Sequence, residues 1–335
     1  MRSKGHEFLI SSREKECTFD LLKSNDIAYT SRGAGGKGFL GKLLYIAIAD
    51  FSLYKIAKKF QPDIFLSFAS PYAAHVSRLL KKPHIAFDDT EHAKFGHIMY
   101  VPFSNAILTP ACFTKNMGKN HIKFNGFIEL CALHPNYFKP NANILQKLDL
   151  KKNEKYVLLR FVSWEASHDH GHSGLSIELK RALINKLLTR YKVFISSEKN
   201  LPPEFNKYRI PINHDEMHDI LASAEMFIGE GATMAAESAM LGVPAIYVNT
   251  LNMGYITELS KKYSLIFKYK TDQGVMEKMD ELMAINNLKE QFQKKKQKML
   301  NDKIDVTAFM VWFVENYPLS LNTIKANPQY QENFK

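Results

Sequence analysis

The stretch GEGATMAAESAMLGVPAI, residues 229 to 246, sets two glycines and a threonine in front of small residues that carry one glutamate. MFIGE reads as the end of a strand, Gly231, Ala232 and Thr233 as a turn, and MAAESAML as a helix stopped by Gly242, with Pro244 beyond it. A strand, a tight turn and a helix N-terminus make an anion site, because uncapped N–H groups and the helix dipole point outward. Thr233 and Glu237 are four apart and share a helix face, so a carboxylate one turn in from a bound diphosphate could accept both hydroxyls of a ribose. The same residues also suit a plainer role, in which alanine and glycine let helix and strand approach closely and Glu237 is solvated. The stretch has neither the GK[ST] of a Walker loop nor the GxGxxG that opens a dinucleotide-binding unit.

Two further clusters could do chemistry. FDDTEHAKFGH (87 to 97) ends a strand with Asp88, Asp89, Glu91, His92 and His97. Carboxylates at the C-terminal end of a strand lie where α/β proteins place their chemistry, and Glu91 or His92 could serve as a general base. The structural alternative is that Asp89 or Thr90 caps the following helix. WEASHDHGHSG (164 to 174) presents His168, Asp169, His170 and His172 on a glycine-bearing loop before a helix. Imidazole and carboxylate can ligate metal, but a sugar-phosphate contact through His168 and His170 is the expectation, with no metal.

The elements that must hold these residues follow from periodicity. Short apolar runs at 6–12, 27–32, 63–69, 83–89, 106–110 and 121–126 alternate with helical spacing, notably at 39–60 and 72–81. A second series runs at 156–163, 192–198, 226–230, 243–249 and 265–269, after the loop-like HPNYFKPNAN (134 to 143). The expected fold is α/β: two Rossmann-like domains, 1–133 and 151–302, joined by a linker at 134–150, with ligands in the cleft between them. A doubly wound domain normally opens with its central strand. This sequence opens on KGHEFLI, which resembles the end of a first helix leading into a second strand. Either it begins partway into the domain, or the first strand of that domain is missing.

Composition narrows the partners. The 335 residues carry a net charge of +11, and residues 1 to 130 hold 18 Lys+Arg against 11 Asp+Glu, so the first domain is the more basic. That favours anionic partners. KKKQK (294 to 298) lacks aromatic interleaving and reads as a solvated helix face, so nucleic acid is not expected. No apolar run approaches a membrane span, and the first residues lack the pattern of a signal peptide, which gives a cytoplasmic expectation. Lys55, Lys58 and Lys59 near the end of a long apolar helix (39 to 60) allow peripheral contact with anionic lipid, although burial of one face explains the helix equally well. Cys17, Cys112 and Cys131 show no CxxC spacing and form no disulfide or zinc framework.

FDDTEHA (87 to 93), NGFIELCALHP (125 to 135), HDEMHDILASAEMFIG (214 to 229) and GEGATMAAESAMLGVPAI (229 to 246), in that order, closely resemble an uncharacterised family, domain of unknown function three-five-four. Its members look like GT-B glycosyltransferases and UDP-N-acetylglucosamine 2-epimerases. The resemblance covers roughly residues 5 to 310 and implies several site roles. Glu237 would bind the nucleotide ribose, the turn at Gly231, Ala232 and Thr233 the diphosphate, and the loop Ile212 to His214 the base. Family members usually have glycine where this chain has Ala232. VTAFMVWFVENYP resembles the GT-B crossing helix (303–318), followed by a polar, loosely held tail at 319–335.

The function so implied is a GT-B-type glycosyltransferase using a nucleotide sugar, a UDP-sugar, with a carbohydrate or lipid-linked acceptor in surface polysaccharide or glycoconjugate synthesis. One alternative is a UDP-sugar 2-epimerase, although the aspartate those enzymes carry after a comparable strand has no match in SFASPYAAH (67 to 75). Another is a non-catalytic nucleotide-sugar binding protein.

Overall fold

The computed structural model describes residues 1–335 apart from 15–17, 34, 37, 152, 162–173, 198–200 and 212, and apart from the side chains of 39, 40, 42 and 43. The chain forms two units: residues 1–126 with 306–334, and residues 127–305.

Unit 1 begins with β1 (Ser11–Ser12), α1 (Thr18–Ser24), β2 (Thr30–Ser31) and α2 (Gly38–Phe60). It continues through β3 (Phe65–Phe68), α3 (Pro71–Leu79), β4 (His84–Phe87), α4 (Lys94–Tyr100), β5 (Ala106–Pro110) and β6 (His121–Phe124). All pairings are parallel, but they form two sheets, β1-β2 and β3-β4-β5-β6. β5 is buried along its whole length, as a parallel strand covered on both faces should be.

Unit 2 holds two short helices, α5 (Leu130–Leu133) and α6 (Ile144–Lys147), then β7 (Tyr156–Phe161), α7 (Ile177–Leu187), β8 (Lys192–Ser197), α8 (Met217–Ser223) and β9 (Met226–Gly229). α9 (Ala232–Met240), β10 (Ala245–Val248), α10 (Gly254–Lys261), β11 (Ile266–Tyr269), α11 (Val275–Ala284) and α12 (Leu288–Asp302) complete it. Its parallel sheet has the order β8-β7-β9-β10-β11. Counted within the unit this is 2-1-3-4-5, whose topological switch point lies between β7 and β9. β9 and β10 are wholly buried. Gly229 ends β9 against β7, where a Cβ would come within 2.9 Å of the Arg160 carbonyl oxygen.

α13 (Val306–Glu315) and α14 (Leu319–Ala326) return to unit 1. One expectation is corrected there. The aromatics of α13 pack inside unit 1, with Phe309 against Phe124 at 6.1 Å. The final residues are not a loose tail: they form α14 and a 3-10 helix, Pro328–Phe334, whose Tyr330 stacks on Trp312 at 4.8 Å and whose Phe334 meets Phe309. The half-buried rings of Tyr330 and Phe334 hold this end against α13, and its many polar residues face solvent.

Candidate functional site

In unit 2 the α9 N-terminus stands directly after β9, at the switch point. Gly231 is the N-cap in an extended conformation, no side chain among the described residues caps the helix, and its first turn carries no acidic residue. The first-turn N–H groups therefore face outward without a built-in acceptor, and the positive end of the dipole is left unneutralised. Thr233 is exposed, and Gly231 and Ala232 are half-buried. Gly242 stops the helix with φ of 78°, a left-handed conformation that a side chain would strain.

Glu237, one turn in, is half-buried rather than solvated. Its Oε1 lies 3.2 Å from Nε2 of His218 on α8, and the His218 ring meets Phe138 edge-on at 5.9 Å. The imidazole therefore orients the carboxylate. His218 lies inside HDEMHDILASAEMFIG, but nothing in the linear sequence shows that α8 and α9 bring it to Glu237. His214 is exposed, in a 3-10 turn (His214–Glu216) that leads into α8. His168, Asp169, His170, His172 and Ile212 lie outside the described residues.

Glu230, between β9 and the Gly231 turn, is the most buried carboxylate here, at 1% exposure. It accepts a hydrogen bond from the Leu175 N–H at 2.7 Å and lies 3.2 Å from Lys180 Nζ. Asp272 accepts from the Ser176 N–H at 3.2 Å, and Ser176 caps α7 through the Leu179 N–H. Together Glu230 and Asp272 pin the start of α7 beside the α9 turn.

In unit 1 the carboxylates follow β4. Asp88 is fully buried. It accepts from the Thr90 N–H at 2.8 Å and the Tyr100 hydroxyl at 2.6 Å, and His97 Nε2 stands 3.1 Å from it. The expected capping by Asp89 or Thr90 is not what forms: α4 starts at Lys94 after an uncapped Ala93. Asp88 instead closes the turn, because its carboxylate lies two residues before the Thr90 N–H. Glu91 is buried, and its Oε1 accepts from the Thr114 N–H and Oγ1–H at 2.8 and 3.0 Å. His92 is exposed. Asp89 is half-buried, with the Thr90 hydroxyl at 3.0 Å. Burial pushes its carboxyl up to about 6, with smaller contributions from Asp88 and Glu91. Burial thus brings the Asp89 carboxyl toward neutral pH, where a group can both take up and release a proton. Among the described residues, no group of three or more His, Cys, Asp or Glu side chains is placed to hold a metal ion.

This architecture defines a class. The chain superposes on UDP-GlcNAc 2-epimerase from Neisseria meningitidis bound to UDP-GlcNAc with a TM-score of 0.63 at 12% identity, covering 93% of this chain and 94% of that one. It superposes on the Streptomyces sp. SF2575 glycosyltransferase SsfS6, complexed with thymidine diphosphate, with a TM-score of 0.58 at 13% identity, covering 94% and 92%. The fold is GT-B-like, built from two Rossmann-like units. Within that class the chain belongs to the family described as protein of unknown function (DUF354), matched over residues 1–318. An uncharacterized protein of Methanocaldococcus jannaschii is 24% identical over 253 residues, which is 72% of this chain and 74% of its own length.

Proposed function

We propose that the protein is a nucleotide-sugar glycosyltransferase. The observation that carries this reading is the uncapped α9 N-terminus at the switch point of unit 2, with Glu237 held one turn in by His218. The N–H groups near Gly231, Ala232 and Thr233 would take the diphosphate of a UDP-sugar, and Glu237 the ribose hydroxyls. His214, His168 and His170 are the further donor-binding candidates. In unit 1 the cluster at Asp89, Glu91 and His92 would supply the base. It would take the proton from an acceptor hydroxyl as that oxygen bonds to the anomeric carbon and the bond to the diphosphate breaks. The helix N-terminus would stabilise the departing UDP.

UDP is expected to raise the thermal unfolding midpoint in a saturable way. Glu237→Ala should weaken UDP roughly 10–100-fold, since hydrogen bonds to a charged group are worth about 1.5–3 kcal/mol. Equal shifts in the two proteins would remove Glu237 from the site.

A 2-epimerase is the second reading. It is favoured by the presence of three carboxyl groups after β4, because removing and returning a proton at C2 needs both an acid and a base. Deuterium entering C2 of UDP-GlcNAc from heavy water would identify it, whereas transfer releases UDP without such exchange.

Among the described residues, no helix is long and apolar enough to cross a membrane. α2 nevertheless exposes Leu44, Ile48 and Phe51 at helical spacing, with Lys55 Nζ 4.3 Å over the Phe51 ring. This suits contact with anionic lipid, where a lipid-linked acceptor would lie. Ile48→Glu should abolish co-sedimentation with phosphatidylglycerol vesicles, and unchanged co-sedimentation would count against the contact.

A further inference from the structure

Unit 1 carries a basic cavity at the end of its sheet opposite Asp89 and Glu91. Those carboxylates follow the C-terminal end of β4, whereas this cavity, of about 650 Å³, lies where β4 and β5 begin. Its lining includes Arg78 from the last turn of α3, Lys81 and Lys82 from the turn that follows, Phe103 and Asn105 before β5, and Tyr317 between α13 and α14. No carboxylate of the described residues lines it. The volume is that of a small-molecule site.

A buried histidine fixes one wall and uses up its acceptors. His84 is fully buried. The Ser104 hydroxyl donates to the Tyr100 carbonyl at 2.8 Å, so it accepts from His84 Nδ1–H at 2.9 Å. Nε2 then carries no proton and accepts from the Ser67 hydroxyl at 2.9 Å. Burial pushes this imidazole down to about 4, which keeps it neutral. The His84 N–H donates to Asn105 Oδ1 at 2.9 Å, and the Asn105 N–H donates back to the His84 carbonyl at 2.8 Å.

With Oδ1 engaged, the Asn105 amide has only its Nδ2 donors left to offer. Among the described residues, these donors, the Tyr317 hydroxyl, the Arg78 guanidinium and the Lys81 ammonium have no hydrogen-bond or ion-pair partner. Lys82 Nζ lies 3.7 Å from Asp63, a fully exposed carboxylate outside the cavity lining. One cation suits the C-terminal dipole of α3, but the dipole does not account for an amide and a phenol that share the cavity and lack acceptors. A lining of donors and three cations calls for an oxyanion of more than one charge, and a phosphate monoester carries about −1.5 to −2 near pH 7.

We propose that this cavity binds a phosphate monoester carried on an apolar body. Arg78 clamps two phosphate oxygens through its planar fork. Lys81, Asn105 Nδ2 and the Tyr317 hydroxyl donate to the phosphate as well, and Phe103, 38% exposed, receives the apolar part. A soluble aromatic ester and a lipid of the phosphatidic acid type both present that chemistry.

The test uses the full chain with two probes, phenyl phosphate and phosphatidylcholine vesicles that contain phosphatidic acid. Saturable movement of the backbone amide resonances of Lys81, Lys82, Ser104 and Asn105 with phenyl phosphate assigns a soluble ester. Co-sedimentation with the vesicles, without saturable binding of phenyl phosphate, assigns a lipid. In either case Arg78→Gln is expected to weaken binding about tenfold or more, and Tyr317→Phe about threefold or more. Lys23→Gln makes the same charge change at an exposed position on α1 and should leave binding unchanged. Arg78 is exposed, so its variant should unfold at the parent midpoint; if it does not fold, Tyr317→Phe decides the matter alone. Failure of both probes to bind overturns the proposal. So does binding that Arg78→Gln and Tyr317→Phe leave unchanged, an equal loss with Lys23→Gln, or movement confined to the Gly231, Ala232 and Thr233 amides of unit 2.

Discussion

Asp89→Asn is expected to cut sugar-transfer turnover by about 10²–10⁴-fold, the usual contribution of a general base, while making the fold more stable at pH 8. The two effects have one origin. Burial raises the folded-state carboxyl from 3.8 to about 6, so above pH 6 the protein holds a charge that its surroundings disfavour. Below pH 3.8 the group is neutral whether the chain is folded or not, and its relative contribution to stability is fully present. That contribution is lost as pH rises from 3.8 through 6. Asparagine removes the penalty, so the variant should gain up to about 3 kcal/mol over the parent above pH 6 and nothing below pH 4. Unfolding midpoints from pH 3 to 8 test this. A stability difference that is flat with pH would show that Asp89 is not held neutral by burial, and unchanged turnover would move the base to Glu91 or His92.

Glu230→Ala should cost about 3–5 kcal/mol, because removing one member of a buried ion pair strands the other. Glu230 is 1% exposed, and its partner Lys180 retains 15% of its side-chain surface and lies 4.6 Å from the Phe161 ring. The same change frees the Leu175 N–H and loosens the start of α7. Removing both charges, with Lys180→Met added, should recover much of the loss, since no uncompensated charge remains. The urea midpoint reads both variants. A single variant that unfolds with the parent protein would mean that solvent already carries the Lys180 charge.

Most strands are legible in the sequence because their burial is continuous. AILTP forms β5 over its whole length, and YVLLRF forms β7. HEFLISS and IAYTSR were expected as strands at 6–12 and 27–32, but they pair only over Ser11–Ser12 and Thr30–Ser31. Their residues have β-propensity, but β1 has a neighbour on only one side, and an unpaired edge weakens register and length. The succession of β9, the Gly231 turn and α9 was readable because strand, glycine turn and helix are contiguous in sequence. His218 was not, since it meets Glu237 across two helices. Glu91 and Asp89 sit two residues apart in one motif, and their different environments come from elsewhere. Thr114 engages the first, and burial raises the pKa of the second. Only the folded chain makes that distinction.

Unit 2 is one uninterrupted run of chain, whereas unit 1 needs residues 306–334 to rejoin residues 1–126. Tyr330 and Phe334 close over α13, Lys4 reaches Glu315, and the Asn125 N–H donates to Gln331. During synthesis, therefore, the second unit can condense while the first is still waiting for its last thirty or so residues. The early part of the chain would spend that interval with its apolar surface uncovered, where chaperones can bind it. Disruption of residues 306–334 would then be felt first as misassembly of residues 1–126.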